Sequence, residues 1–213
     1  MVEGVFNVIW VTPVGDTKTV SAIELEWKNK AKTIIDLCKN KDVVVQAGGN
    51  LGIFPTYLSK SFEKVITFEP IHKNYICLLE NISGIHNISV YNYGLGDKYA
   101  NTKIFKEVPQ NCGAIRLEYD EDGNIPIIPL DELTFDAVDL IWLDVEGFEV
   151  KALKGAKKTI KKYEPILVAE NNGLIAEFPA GLNGSEDFQH WVEKTFNYKF
   201  HARIMRDDIY VPA

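Results

Sequence analysis

Five apolar runs recur along the chain with helix-compatible segments between them: VVVQA at 43–47, VITFE at 65–69, ISVYNY at 88–93, VDLIWLD at 138–144 and ILVAE at 166–170. Strands buried on both faces read as near-continuous apolar stretches, and strands that alternate with helices pair in parallel. The intervening segments 51–61, 71–82 and 147–162 supply the crossover helices, the last one rich in Ala, Leu and Lys. The expectation is an α/β, Rossmann-like fold: a mostly parallel sheet with helices on both faces.

The 213 residues, 46% of them hydrophobic, suit one domain with a sizeable core. Residues 1–42 read as an accessory segment packed on that core. It holds a FNVIWV strand, a TPVGD turn and a helix over roughly 21–39. The core runs over 43–213. Within it, 94–137 is less regular and predicts short extra strands and loops. Near the C-terminus, 186–196 predicts an amphipathic helix with Ser185 as its N-cap. YKFHARI and DDIYVPA, separated by Met205 and Arg206, then predict an antiparallel hairpin at the sheet edge.

A net charge of -7 provides no general attraction to phosphate backbones or anionic lipid, so a nucleic-acid partner is disfavoured. No run approaches the ~20 apolar residues of a membrane span, and no basic segment precedes an apolar core at the N-terminus, which makes the cytoplasm the default location. Cys38, Cys77 and Cys112 are widely spaced, so they read as buried thiols rather than a disulfide framework or zinc site. Four isolated histidines offer no metal-ligand spacing.

The chemistry concentrates at strand ends, where sheets of this type hold ligands. QAGGNLG at 46–52 joins the first core strand to a helix. It does not match GxGxxG, because Asn50 and Ile53 stand where the second and third glycines belong, and it lacks the GK[ST] of a phosphate loop. A glycine turn with an asparagine suits a nucleoside that carries no phosphate. Glu69 ends the second strand about 20 residues on, the spacing at which an acidic side chain accepts ribose hydroxyls. Pro70 stops that strand, so Glu69 also reads as strand punctuation. Asp144 stands at the tip of the fourth strand with Glu146 in the next turn, and Glu170 ends the fifth. These three are candidate catalytic carboxylates. Helix capping is the alternative for Asp144, and stabilising the helix start is the alternative for Glu146 and Glu149. The three carboxylates also suit a divalent cation, but no metal is assigned.

Taken in order, VVVQAGGNLG, VITFEP, YNYGLGD, PLDEL, LIWLDVEGFEVKALKGA and ILVAE resemble the FkbM family of small-molecule O-methyltransferases, over roughly residues 40–170 and the terminal DDIYVP. The resemblance implies a class I methyltransferase fold with S-adenosylmethionine as cofactor. It implies Gln46, Gly48, Asn50 and Gly52 in the cofactor loop, Glu69 at the ribose, and Leu95 and Gly96 beside the adenine. In the family the first strand runs into an Asp before GAN; here Gln46 and Gly49 replace the Asp and Ala of that segment. The expected reaction is methyl transfer to an oxygen of a small-molecule or sugar hydroxyl, with Asp144 as the leading base, assisted by Glu146 or Glu170. Two rivals are an NAD-dependent oxidoreductase, which shares the acidic residue at the ribose, and a non-catalytic nucleoside-binding module.

Overall fold

The structure is a computed structural model, and it describes residues 1–3, 9–175, 177, 178 and 184–213. At the N-terminus a two-residue strand β1 (Val2–Glu3) pairs with β2 (Ile9–Trp10) and leads into helix α1 (Thr19–Leu37). Residues 6–8 of the expected FNVIWV strand lie outside the described residues. The core opens with β3 (Val43–Ala47), α2 (Ile53–Leu58), β4 (Lys64–Phe68), α3 (His72–Asn81) and β5 (Ile88–Tyr91). A second sheet follows, from β6 (Gly94–Leu95), β7 (Ala100–Val108), β8 (Asn111–Tyr119) and β9 (Ile125–Ile128). The chain then returns to the core through β10 (Leu140–Leu143), α4 (Glu149–Lys154), α5 (Lys157–Tyr163), β11 (Ile166–Glu170), α6 (Gly184–Phe196), β12 (Tyr198–Ile204) and β13 (Asp207–Pro212).

The main sheet has the order β12-β13-β11-β10-β3-β4-β5. Its five core strands are parallel, and the terminal hairpin is antiparallel at the edge. The period-two geometry of a strand sends neighbouring residues to opposite faces. Val43, Val45 and Ala47 accordingly join one core with Ile141, Leu143, Leu153, Phe188 and Val192. Val44 joins the other with Trp142, Val168, Ile34, Phe54 and Leu58. Each of the Val, Ile, Leu and Phe side chains among them contributes about 1.5–3 kcal/mol on burial. Strand order reverses between β3 and β10, so the carboxyl ends of those two strands diverge into the crevice where this sheet type binds ligands.

Three expectations change. The 94–137 region holds a hairpin of two nine-residue strands, β7 against β8, within a four-stranded sheet, and not only short strands and loops. The 147–162 helix is broken at Gly155 into α4 and α5, because the backbone there passes under Gly96: a Cβ on Gly155 would stand 1.9 Å from the Gly96 carbonyl oxygen. Helix α6 begins at Gly184, which places Ser185 inside the first turn and not at the cap. Helix α1 is tied to the core by a buried ion pair from Lys30 to Asp207 of β13, with the Lys30 ammonium 5.4 Å from the Phe54 ring centre and 5.7 Å from that of Trp142. No helix among the described residues is long and apolar enough to cross a membrane.

Candidate active site

At the carboxyl ends of β3, β4 and β10 lies a cavity of about 300 Å³. Its floor is Gly48, Asn50, Glu69 and Asp144. One wall is apolar, from Ile71, Leu95 and Ile127. The roof comes from Thr19, Ala22 and Ile23 of α1 and from Cys112–Ile115 of β8.

The floor is held by close backbone approach. The Asp144 amide donates to the Ala47 carbonyl at 3.1 Å, which draws the tip of β10 against the turn after β3. Gly48 sits in that turn with φ +89, and Asn50 follows at φ +48, a left-handed conformation that asparagine tolerates better than most side chains. The Asn50 amide donates to Glu69 Oε2 at 2.7 Å, and the Ile71 amide donates to Oε1 at 2.8 Å. Glu69 therefore cross-links the two loops and still has acceptor capacity to spare. Burial pushes its pKa up to about 7, against the pull of those hydrogen bonds.

At the other end Asp144, Glu146 and Glu170 present oxygens that all lie within 4.8 Å of one another. Glu170 is buried while Asp144 and Glu146 are half-buried, and carboxylates this close raise one another's proton affinity. Burial, and after it the charge of Asp144, pushes Glu170 up to about 10, opposed by the Arg206 guanidinium 3.2 Å from its Oε1. Asn172 Nδ2 donates to Glu170 Oε2 at 2.6 Å. The cluster offers two chemistries, a shared proton or a cation, although exposed acidic groups often gather without an ion. Glu149 opens α4 and accepts the amides of Val145 and Gly147 at 3.1 and 3.3 Å, which sets the turn that carries Glu146. Phe148, with no side-chain cap, occupies the N-cap of that helix, so Asp144 is not its cap.

These features sit at the carboxyl ends of the strands, where parallel α/β sheets bind ligands. A profile of the methyltransferase FkbM domain matches residues 46–202. The chain belongs to the FkbM methyltransferase family. Sequence comparison with curated proteins finds no match. The crystal structure of methyltransferase FkbM from Methylobacillus flagellatus KT superposes with a TM-score of 0.54 at 23% identity, covering 80% of this chain and 43% of that one. The chain thus spans less than half the length of that relative. A Methanococcus jannaschii fibrillarin pre-rRNA processing protein gives 0.55 at 10% identity, covering 87% and 74% of the two chains. A SAM-dependent methyltransferase from Aquifex aeolicus gives 0.52 at 15%, covering 88% and 90%. The fold is the Rossmann-like class I methyltransferase fold.

Within this FkbM-family chain, Gly48, Asn50, Glu69, Leu95, Asp144 and Glu146 line the cavity. Glu170 stands behind them, in contact through the carboxylate cluster. Gln46, Gly52 and Gly96 do not line it. Gln46 is 1% exposed, and its amide donates to the Gly48 carbonyl at 2.9 Å while its Oε1 accepts from the Thr67 hydroxyl at 2.5 Å. It orders the loop from beneath. Gly52, at φ +83, precedes α2 and packs against Leu78 and Ile82. Gly96 lies under Ile127 and the α4–α5 break, and it is Gly94 that lines the wall.

Sequence reading missed Ile71, Asn74, Cys112, Asn172 and Arg206, all in the lining. Arg206 had a signal: β13 pairs with β11 in the register Glu170↔Asp207, so the turn of an expected edge hairpin delivers Arg206 to the strand end of Glu170. The cysteines are buried thiols as read. Burial pushes the Cys112 thiol above its ordinary range.

Proposed function

We propose that this FkbM-family chain is an S-adenosylmethionine-dependent methyltransferase acting on a hydroxyl of a small molecule or sugar. The observation that carries this reading is the cavity's polarity from end to end. A buried carboxylate, Glu69, stands beside an apolar wall of Ile71 and Leu95 at one end, and a carboxylate cluster stands at the other. The first end suits a ribose with a purine against the wall, and the turn at Gly48 and Asn50 leaves room for an amino-acid tail. When bound, the cofactor supplies a methyl group on a positive sulfur.

Asp144, at the junction of the two ends, is positioned to take the proton of an acceptor hydroxyl or to orient it. Glu146 keeps negative charge near the reacting centre. Burial favours the protonated form of Glu170, which is then able to share its proton with the carboxylates beside it. Alignment in an enclosed space accounts for much of the rate enhancement that methyl transfer requires. At about 300 Å³ the cavity matches the small end of ligand pockets. The acceptor therefore presents its hydroxyl from the mouth, beside Glu146, Asn172 and Arg206.

The test is calorimetry with S-adenosylmethionine, S-adenosylhomocysteine and NAD, followed by methyl transfer to a panel of hydroxyl acceptors. Binding of both adenosyl compounds with turnover on one acceptor is expected. Binding of NAD alone would overturn the reading, and adenosyl binding without turnover across the panel would favour a nucleoside-binding module.

A further inference from the structure

Asn74 lies in the first turn of α3 and is 1% exposed. Its Nδ2 donates to the Cys112 carbonyl of β8 at 3.0 Å. It also faces Glu69, whose charged form it stabilises by a hydrogen bond. With two acceptors on the nitrogen side, turning the amide over would set its oxygen against both, so the network fixes which atom is which. The remaining atom, Oδ1, is buried without a hydrogen-bond partner. Asn74 nevertheless lines the cavity. A buried acceptor with no donor is costly, and native proteins keep such atoms where something else completes them.

We propose that Asn74 is a second ribose-reading side chain, its Oδ1 accepting a hydrogen bond from a hydroxyl of the nucleoside bound beside Glu69. The inference rests on the methyltransferase reading for the identity of the nucleoside. The ligand group that completes Oδ1 must be a donor, which excludes a phosphate or a keto oxygen at that point. Asn74 and Glu69 both line the cavity, so Oδ1 adds a second acceptor to the Glu69 carboxylate, which suits a ligand that carries two neighbouring hydroxyls as a ribose does. The same arrangement rejects a nucleoside phosphorylated on that ribose, since phosphate oxygens would meet two acceptors.

The experiment compares wild type, Asn74→Ala and Asn74→Leu for binding of S-adenosylhomocysteine and of its 2′-deoxy and 3′-deoxy analogues by calorimetry. Leucine keeps the side chain's volume and carries the test if the alanine variant does not fold. The expected result is a loss of about tenfold in affinity for S-adenosylhomocysteine, with less than a twofold change for the analogue that lacks the hydroxyl read by Asn74. An equal loss for all three ligands would show that Asn74 only supports Cys112 and Glu69, and would overturn the proposal. Unchanged affinity for S-adenosylhomocysteine would overturn it as well. Failure of the wild type to bind S-adenosylhomocysteine at all would strike the methyltransferase reading itself and this proposal with it.

Discussion

A Cβ placed on Gly48 would stand 1.9 Å from the carbonyl oxygen of Asp144. The neighbour is backbone at the tip of β10, which cannot step aside as a flexible side chain would. Gly48 is therefore required by the meeting of two strand ends before any ligand arrives, and it lines the cavity for the same reason. Gly48→Ala should lower stability by about 3 kcal/mol or more, since the left-handed φ adds strain to the clash. Urea denaturation without ligand checks this. A variant as stable as wild type would mean that the strand tips separate easily.

Glu69 should make nucleoside affinity depend on pH. Its pKa of about 7 marks the range in which the better acceptor, the carboxylate, forms. Affinity for S-adenosylhomocysteine should rise several-fold between pH 6 and 8. Glu69→Gln should flatten that profile and weaken binding roughly tenfold at pH 8. A wild-type affinity constant across this range would separate Glu69 from the ligand.

Asp144→Asn keeps the side chain's size and removes most of its basicity. Turnover at saturating substrate should fall by about 10²-fold or more, with S-adenosylhomocysteine affinity changed less than threefold. Rate measurements beside calorimetry read the two effects separately. Full turnover would leave Asp144 no part in handling the acceptor's proton.

Glu149 is 1% exposed, and burial pushes its pKa up to about 8 against an ordinary value of 4.5. A folded-state pKa above the unfolded one means that the native state holds the proton more tightly. The stability from this group is whole below pH 4.5 and is lost as pH rises through 8. Glu149→Gln imitates the neutral acid and can still accept the amides of Val145 and Gly147. The variant should match wild type near pH 5 and exceed it at pH 9 by roughly 1–3 kcal/mol. Thermal unfolding at the two pH values checks the sign, and a variant weaker than wild type at pH 9 would reverse it.

The main sheet was legible because its strands are buried on both faces. VVVQA and ILVAE carry no polar alternation that would suggest anything else, and all ten residues are buried. The β7–β8 hairpin was not legible for the opposite reason. Of the nine residues of β7 only Thr102 is buried, so Lys103, Lys106 and Glu107 erase the alternation on which a strand reading depends. The glycine loop at 46–52 was read as a block. Its glycines have different jobs, however, since Gly48 meets a strand tip and Gly52 meets a helix, and sequence spacing does not separate the two. Gln46 points to Thr67 and away from the cavity because β3 places alternate residues on opposite sides, and Ala47 took the cavity side. Asn74 lies on an amphipathic helix with no motif of its own, so only the burial of its oxygen singles it out.

The roof of the cavity is a seam between two parts of the chain. Asp16 accepts the Cys112 amide at 2.6 Å, the Thr17 amide donates to the Gln110 carbonyl at 3.2 Å, and the Thr19 hydroxyl donates to Asn111 Oδ1 at 3.1 Å. When these bonds part, the cavity opens along the seam as well as at its mouth, and a bound molecule gains a second way out. Residence time is then set by a local opening equilibrium and not by contacts with the ligand alone. Loosening the seam, as Asp16→Ala would, should quicken arrival and departure together and leave the dissociation constant little changed. The amide of Cys112 becomes a clock for that opening, its hydrogen exchange keeping pace with the off-rate.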